Sequence, residues 1–455
     1  MCSDLNLCEM MELSDKYYKT LGYYCPSLFF IYLTGKGRLK TMMQWNEMQQ
    51  STFLHEYVHF LQDFITVQGL TNMYRIGEYL GYVTNVAIDS DKNEIHIPVD
   101  PMNTTGYNLK NNYQLSNWTF GEKKDVRGLA GYQKVMRGTL IEDQTQMPLD
   151  VYSIDLNCID EKGNAVKVEF GTLQLMEGMA KEIEEAAYPN MKGNSPYNPY
   201  YIGRDVAESI MKGIGSKGDT MIALYDLSLQ SSIPGYTFVV YLEEKVKQGY
   251  DATTLTADVI YNELLSKNVN HKQLGNTTFE NAFNNAMKMA TNVVNDLTGN
   301  IWVYNHIRYW YDTILKKGHY IRMRYPRLFI DIAGAGKINS GTLFQNLLDF
   351  LGTPLIENEE GVFESRAPKN VPIKTSDMAD VYAMVQTQLV FRQDGTFRCA
   401  LVDYCNNKKW WSFRKHWVDE RCLTTPWKRR MRFNRCPFCQ WWYFKGFSKT
   451  KLLHP

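Results

Sequence analysis

Residues 44–68, QWNEMQQSTFLHEYVHFLQDFITVQ, contain neither Gly nor Pro and form the longest uninterrupted helical pattern in the first quarter of the chain. Apolar side chains recur at helical spacing, at Phe53, Leu54, Val58, Leu61 and Ile65. This periodicity predicts a long helix that ends near Gly69. The segment HEYVH in its middle carries the chemistry from which the rest of the site is inferred.

HEYVH places His55 and His59 four residues apart, so both imidazoles lie on one face of the helix. Two imidazoles at this spacing can reach one Zn²⁺, and Glu56 stands beside the first, where a carboxylate can take a proton from water. Only 8 of the 455 residues are His, so the pattern is rare by chance. The alternative interpretation is a pair of satisfied core or surface histidines.

A third protein ligand has to come from another part of the chain. The metzincin pattern is absent, because Gln62 and Ile65 occupy the positions of its Gly and third His. Glu78 has only its spacing in its favour. Glu177 lies in GTLQLMEGMAKEIEEAAY, which predicts a helix over residues 173–187 with small residues beside the carboxylate. We prefer Glu177, and Glu78 stays open as the alternative.

HEYVHFLQDF, followed more than a hundred residues later by LMEGMA, resembles a group of bacterial and archaeal gluzincin-like proteins. These pair His-Glu-x-x-His-x-Leu-Gln-Asp with a later Glu-Gly-x-Ala. The resemblance covers about fifteen residues and implies that His55, His59 and Glu177 bind a catalytic zinc, with Glu56 as catalytic base. The substrate class does not follow from the resemblance. Our hypothesis is a zinc metallopeptidase with a zincin-like catalytic region, which hydrolyses a peptide or protein substrate by a metal-assisted mechanism.

Several polar residues are candidates for supporting roles at such a site. Asp63, four residues after the second histidine, is placed to accept the remaining N–H of a ligand imidazole, and Gln62 is a further candidate. Gluzincins also use a His or Tyr to stabilise the oxyanion. In IWVYNHIRYWYD the residues to examine are His306, Tyr304 and Tyr309, although a core or surface role is the simpler interpretation.

Five of the nine cysteines follow residue 398, and the last two stand in NRCPFCQWW. A Cys-x-x-Cys with Pro between the thiols resembles a zinc knuckle. We therefore expect a structural zinc in a small zinc-ribbon-like module. The preferred ligands are Cys399, Cys405, Cys436 and Cys439. Cys422 is the alternative to Cys399 or Cys405. A redox dithiol and unpaired buried thiols are the other interpretations.

The last fifty residues differ in charge from the rest of the chain. Residues 406–455 contain 13 Lys and Arg against 2 Asp and Glu, a net charge of +11, whereas the first 405 residues carry −10. Six Trp are interleaved with these basic side chains: Trp410, Trp411, Trp417, Trp427, Trp441 and Trp442. The pattern is compatible with a nucleic-acid or protein partner. The interpretation that we prefer is that the Trp side chains fill a small core and the positive surface docks on the acidic remainder.

The length of 455 residues exceeds what one core usually serves, so two or three units are expected. We predict a zincin-like catalytic core over residues 1–195 and a mostly helical domain over 196–394 that completes the cleft. Residues 395–455 then form the basic, Trp-rich and Cys-rich zinc-binding module. A hairpin is predicted over 151–170, and residues 94–130 read as extended structure and loops. The fold class is therefore α+β, dominated by helices.

The chain begins without a basic stretch followed by an apolar one, and no run of 18 apolar residues occurs anywhere in it. The nine cysteines are odd in number, and five of them cluster after residue 398. This distribution favours metal ligation in a reducing compartment over a disulfide framework. We therefore expect a cytoplasmic protein with no membrane partner, one catalytic zinc and one structural zinc.

Overall fold

The computed structural model is helix-rich with several small sheets, which confirms the α+β class with helices dominant. It describes residues 21–25, 27, 29–89, 94–103, 107–141, 148–191, 195–266, 268–271, 275–299, 301–392, 396–407, 418–429 and 436–453.

The helices of the first 270 residues are α1 (Glu47–Ile65), α2 (Val67–Asp89), α3 (Tyr107–Thr119), α4 (Thr172–Ala187), α5 (Tyr197–Tyr200), α6 (Ile202–Ile210), α7 (Gly218–Leu229), α8 (Pro234–Lys247) and α9 (Ala257–Ser266). They are followed by α10 (Phe279–Thr298), α11 (Asn305–Arg324), α12 (Leu328–Ala335), α13 (Thr342–Leu351), α14 (Thr375–Arg392), α15 (Val402–Asn407), α16 (Glu420–Thr424) and α17 (Pro437–Phe444). Short 3₁₀ turns lie at Leu39–Gln44, Pro101–Asn103, Pro189–Met191, Ile214–Ser216, Trp302–Tyr304, Pro426–Arg429 and Phe447–Lys449.

The strands are β1 (Gly22–Cys25), β2 (Phe30–Leu33), β3 (Glu94–His96), β4 (Val126–Ile141), β5 (Pro148–Asp160), β6 (Ala165–Phe170), β7 (Asn268–His271), β8 (Gly275–Thr278), β9 (Leu355–Asn358), β10 (Phe363–Glu364) and β11 (Lys451–Leu453). The first sheet has the order β1-β2-β9-β10, with β2 and β9 parallel and its other pairs antiparallel. Strands β4, β5 and β6 form an antiparallel meander, β7 and β8 a hairpin, and β3 pairs with β11 in parallel.

Helix α1 begins where the side chain of Asn46 accepts a hydrogen bond from the backbone N–H of Gln49 at 2.9 Å. It ends at Ile65, because Thr66 is extended with φ −121° and ψ 151°. The predicted end near Gly69 was therefore wrong. Gly69 lies inside α2, and a Cβ there would approach the carbonyl oxygen of Gln62 to 2.2 Å. The glycine allows α2 to pack closely on α1 and does not stop a helix.

Helix α1 lies at the centre of the molecule, where all its residues from Gln50 to Ile65 are buried. It packs against α2, α4, α11 and strand β1. Burial on all sides is usual for an apolar helix, but this one also buries eight polar side chains: Gln50, Ser51, Thr52, His55, Glu56, His59, Gln62 and Asp63. Buried polar groups need partners, so these side chains have to be satisfied by the helices around them.

Helix α4 starts at Thr172, where the side chain of Gln174 accepts the backbone N–H of Gly171 at 2.9 Å. The prediction of a helix over residues 173–187 is confirmed. The small residues beside Glu177 were expected to let the helix of HEYVH approach closely, and this expectation was wrong for Gly178. A Cβ at Gly178 would lie 2.9 Å from the Tyr225 ring, so this glycine makes room for α7 and not for α1.

The predicted hairpin over residues 151–170 is confirmed as the β5–β6 pair. The prediction of loops over residues 94–130 was wrong in part, because α3 spans Tyr107–Thr119 within it. The sequence of α3, YNLKNNYQLSNWT, is rich in Asn, which has weak helix propensity. Its packing on α2 and on the meander stabilises the helix instead.

Buried hydrophobic residues from all three predicted segments share one large contiguous cluster, which includes Phe30, Leu175, Leu355 and Trp441, and a small second cluster comprises Leu140, Val151 and Ile233. Strand pairing also crosses the segments, since β9 joins β2 and β11 joins β3. The boundaries near residues 195 and 394 stay predictions from the sequence. Among the described helices, none combines the length and the apolar character needed to cross a bilayer.

Candidate metal centre

The side chains of His55, His59 and Glu177 meet between α1 and α4. His55 Nε2 lies 3.1 Å from Glu177 Oε2, and His59 Nε2 lies 3.3 Å from the same oxygen. The two Nε2 atoms are 3.2 Å apart. Sequence reasoning predicted this set, and the fold brings all three members together.

These distances fit a shared metal ion. Two ligands about 2.0 to 2.1 Å from a tetrahedral Zn²⁺ lie roughly 3.3 to 3.4 Å from each other. The three separations in the site, 3.1, 3.2 and 3.3 Å, are close to that value. Two imidazoles and one carboxylate also form a donor set that leaves a fourth position for water or substrate.

His55 is oriented by a second glutamate of α4. Its Nδ1 lies 3.1 Å from Glu184 Oε2, and a carboxylate can only accept, so the Nδ1–H donates this bond. Glu184 also accepts from Ser51 Oγ at 2.6 Å and from Lys181 Nζ at 3.1 Å. Burial would raise the pKa of Glu184, but the hydrogen bond and charge of His55 and the charge of Lys181 lower it to about 2. Glu184 is therefore a fixed negative charge behind the ring.

His59 is oriented by Gln62, whose Oε1 lies 2.7 Å from Nδ1. The amide nitrogen of Gln62 donates to the backbone oxygen of Met176 at 3.0 Å, which turns Oε1 toward the ring. The prediction that Asp63 supports an imidazole was wrong. The hydrogen bonds to its Oδ2 come from the hydroxyl of Tyr24 and the backbone N–H of Ser27.

The tautomers of the two histidines provide a test of whether a cation fits. With both Nδ1–H groups donated to Glu184 and Gln62, the Nε2 lone pairs face each other and the Glu177 carboxylate. Three electron-rich atoms then converge, and only a positive charge between them makes the arrangement favourable. Burial lowers the pKa of His55, yet hydrogen bonds with Glu177 and Glu184 raise it to about 10. A positive charge at this point, either a proton on an imidazole or a metal ion, therefore satisfies the three groups.

Glu56 lies next to the first histidine and is only 6% exposed. Burial raises the pKa of Glu56 to about 7, against the opposing effect of the neighbouring His55 and His59. A carboxylate whose pKa lies near neutrality can both accept and return a proton.

Two more side chains lie near the three candidate ligands. The ring of Tyr200 meets the ring of His55 edge-on, with centroids 5.7 Å apart. Lys123 is half-buried in the segment before β4, where burial lowers its pKa and the nearby Glu177 carboxylate opposes that shift. Neither residue belongs to the sequence motif. They bring a hydroxyl-bearing ring and a cation into the surroundings of the centre.

Glu78, the alternative third ligand, lies elsewhere. Its two carboxylate oxygens accept hydrogen bonds from the Tyr74 hydroxyl and from Asn112 Nδ2, the latter at 2.7 Å. It does not belong to the group formed by the two histidines and Glu177. The choice of Glu177 over Glu78 is therefore the one that the geometry favours.

The residues considered for the oxyanion have other neighbours. His306 Nε2 lies 3.2 Å from Asp380 Oδ2, and the Tyr304 ring packs against Trp441 of α17 with centroids 5.1 Å apart. Tyr309 is exposed. His306, Asp377 and Asp380 also gather ligand atoms within 4.8 Å. Asp377 lies in the first turn of α14, where the helix dipole stabilises a carboxylate, and Asp380 lies one turn later and pairs with His306, so an ion pair explains this group.

The cysteine cluster comprises Cys399, Cys405, Cys436 and Cys439, which make pairwise contacts. Hydrogen bonds from the Cys405 and Cys439 thiols lower the pKa of Cys436 well below its ordinary value. Burial and the adjacent Cys436 raise the pKa of Cys399 to about 12. Within the described part of the chain, no three of these sulfurs all lie within 4.8 Å of one another. The thiols are neighbours but are not drawn together as tightly as the His and Glu ligands.

Cys422 differs from the other four, because its sulfur accepts a hydrogen bond from Arg429 Nη1 at 2.9 Å. The nearby Trp side chains that the structure describes are buried: Trp427, Trp441 and Trp442. They fill the core and do not form a stacking surface. The other predicted aromatic and basic positions, residues 408–417 and 430–435, lie outside the described residues. A nucleic-acid partner stays a prediction that the buried Trp side chains do not favour.

No family model matches this chain, and no curated protein or solved structure is similar enough to match it. The class of site is defined by geometry alone: a buried His, His, Glu centre with an adjacent glutamate. The resemblance to gluzincin-like proteins stays a prediction from the sequence.

The two orienting residues, Glu184 and Gln62, show what sequence reasoning missed or left undecided. Glu184 follows Glu177 by seven residues, two helical turns later and therefore on the same helix face. That spacing was a usable signal for a second acid at the site. Gln62 and Asp63 were not separable from spacing, because both lie near the face of His59. Tyr200 and Lys123 had no sequence signal.

Proposed function

We propose that this chain is a zinc-dependent hydrolase of peptide bonds, a metallopeptidase of gluzincin type with a zincin-like catalytic region. The observation that carries the proposal is the convergence of His55, His59 and Glu177 on one point, with Glu56 buried beside them. A core histidine pair would not need a second helix to deliver a carboxylate to both Nε2 atoms. Nor would it need separate partners for both Nδ1 atoms.

His55, His59 and Glu177 would hold the metal, and Glu184 and Gln62 would keep the imidazoles in the correct tautomer and orientation. When bound, zinc supplies a Lewis acid that lowers the pKa of water and polarises a carbonyl. Glu56 accepts the proton of the attacking water and delivers it to the leaving amine. Its pKa of about 7 suits both halves of that transfer at neutral pH. The buried surroundings limit competing water.

Tyr200 and Lys123 are the residues that we propose for stabilising charge on the substrate oxygen, in place of His306 and Tyr304. The Tyr200 ring contacts His55, and Lys123 lies within the electrostatic reach of Glu177. A role in the transition state would appear as a fall in kcat for Tyr200→Phe with little change in KM.

The decisive experiment compares the zinc-loaded wild-type chain with Glu56→Gln on a complex peptide mixture, with new termini identified by mass spectrometry. We expect cleavage by the wild type, a loss of about a thousandfold or more in Glu56→Gln, and unchanged zinc content. Glu280→Gln, an exposed glutamate in the first turn of α10, is the matched control. Equal cleavage by Glu56→Gln, or none by the loaded wild type, contradicts the proposed hydrolysis.

We further propose a structural zinc in the C-terminal segment, held by Cys399, Cys405, Cys436 and Cys439. Three of these thiols are linked by hydrogen bonds through Cys436, and the fourth lies beside it. Arg429 contributes a buried positive charge next to the group, which offsets the negative charge that four thiolates would carry. The hydrogen bond from Arg429 to Cys422 sets that fifth cysteine apart from the ligand set.

A further inference from the structure

A small pocket of about 30 Å³ lies between α2, α3 and the C-terminal end of α14. None of its lining residues belongs to the metal centre or to the cysteine cluster. Two arginines line it, Arg75 from α2 and Arg392 from the last turn of α14. The remaining lining side chains are neutral, with Asn and Tyr prominent among them.

Arg75 is buried, with 8% of its surface exposed, and most of its hydrogen-bonding capacity is unused. Its Nη1 makes only two long contacts, with Asn72 Oδ1 at 3.3 Å and Ser116 Oγ at 3.4 Å. In the part of the chain that the structure describes, its Nε and Nη2 have no hydrogen-bond partner. Burial lowers the pKa of Arg75 to about 10, so the side chain keeps its charge at neutral pH.

Arg392 faces the same space from the other side. Its guanidinium carbon lies 4.2 Å from the centroid of the Tyr79 ring, and its buried Nε has no hydrogen-bond partner among the described residues. The Tyr79 hydroxyl donates to the backbone oxygens of Val99 and Phe391, at 3.0 and 3.2 Å, so the ring is held in place. The platform under Arg392 is therefore rigid.

The nearest acid, Glu78, interacts electrostatically with Arg75 but forms no ion pair with it. Both carboxylate oxygens of Glu78 accept hydrogen bonds from neutral groups, those of Tyr74 and Asn112. In the part of the chain that the structure describes, no carboxylate oxygen lies within 4.0 Å of a guanidinium nitrogen of Arg75 or Arg392, so neither forms an ion pair. The pocket therefore keeps an excess of positive charge together with unused N–H donors.

A buried guanidinium without a counter-ion is costly, and unpaired donors add to that cost. The planar fork of arginine matches a carboxylate or a phosphate, which can accept two parallel hydrogen bonds. We propose that Arg75 and Arg392 together bind the oxyanion group, carboxylate or phosphate, at the charged end of a ligand. The pocket is far smaller than a whole nucleotide or peptide, so only the charged end enters it and the remainder of the ligand lies outside.

The test is isothermal titration of the full chain with inorganic phosphate and, separately, with acetate, each against chloride at equal ionic strength. We expect one saturable site for at least one of the two anions. Arg392→Gln should weaken its affinity about tenfold or more, because one charge-assisted hydrogen bond is lost. Arg75→Gln should do the same. Arg324→Gln, an exposed arginine at the end of α11, is the matched control and should bind as the wild type does.

The two anions distinguish the ligand class. Binding of phosphate alone supports a phosphorylated ligand, and binding of acetate supports a carboxylate. Absence of saturable binding, or equal affinity in wild type, Arg75→Gln and Arg392→Gln, overturns the proposal. Should the buried Arg75→Gln variant fail to fold, Arg392→Gln decides, since that side chain is only partly buried.

Discussion

The His, His, Glu centre and the cysteine cluster are both candidate metal sites, but the chain builds them in opposite ways. The first stands on α1 and α4, two buried helices of 19 and 16 residues, and its ligand atoms already lie 3.1 to 3.3 Å apart. The second joins a loop, the six-residue α15 and the start of the eight-residue α17. Its sulfurs meet in pairs only. The comparison teaches that the helices organise the first site, whereas a metal would organise the second.

The largest effect is therefore expected at the cysteine cluster. Cys436→Ser should remove one zinc per chain and lower the free energy of unfolding by about 3 to 5 kcal/mol, because binding at a structural zinc site contributes directly to folding. Zinc analysis and chemical denaturation measure both quantities. Cys422→Ser, a buried thiol outside the ligand set, should keep its zinc. Loss of zinc from Cys422→Ser and not from Cys436→Ser would mean that Cys422 is a ligand and Cys436 is not.

At the His, His, Glu centre, Glu177→Gln should weaken zinc binding by about a hundredfold to a thousandfold, more than the loss of an orienting residue does. Folding should change little, since the helices pack without metal. Competition with a chelator gives the affinity, and melting curves give the stability. Glu78→Gln serves as the control, and weaker zinc binding in that variant would restore Glu78 as the third ligand.

The orienting residues should have a smaller effect on the same affinity. Glu184→Gln and Gln62→Leu are each expected to weaken zinc binding by about 10- to 100-fold, because the imidazoles lose the partners that fix their tautomers. Asp63→Asn should leave the affinity within a few-fold of wild type, because Asp63 bonds to Tyr24 and Ser27 and not to the rings. A reversed order of these variants would disprove the assignment of the partners.

The smallest expected effect is on the pH dependence of folding stability. It arises where the sheet of β9 contacts the segment that carries the cysteines. Burial raises the pKa of Glu357 in β9 to about 8, and the Asp403 carboxylate acts in the same direction. The charge of Arg398 opposes this shift. The Tyr32 hydroxyl also lies near Glu357. The native state then binds a proton that the unfolded chain has released. Stability therefore falls as pH rises from about 4.5 to about 8 and levels off above it.

Glu357→Gln should remove this pH dependence. The free energy of unfolding of the variant should therefore rise by about 1 kcal/mol relative to that of the wild type between pH 5 and pH 8. Urea denaturation at the two pH values measures the difference. Glu94→Gln, a partly exposed glutamate on β3, is the control. An equal gain in both variants would mean that the pH dependence does not arise at Glu357.

The parts of the fold and site that periodicity encodes were predictable. His55, Glu56 and His59 follow from spacing on one helix, and Glu177 follows from a second helix. The break at Thr66 was not visible, because Gly69 suggested the end of a helix and acts instead through close packing. Helix α3 was hidden by its Asn-rich sequence, since tertiary packing overrides weak propensity. Tyr200, Lys123 and the pocket of Arg75 and Arg392 depend on contacts between distant segments, which no local pattern contains.

The most direct test of the metal centre is a crystal structure of the zinc-loaded Glu56→Gln chain, with anomalous scattering measured at the zinc edge. We expect one anomalous peak within about 2.0 to 2.2 Å of His55 Nε2, His59 Nε2 and a Glu177 carboxylate oxygen. A zinc-loaded crystal without density between these three side chains would contradict the assignment of this centre.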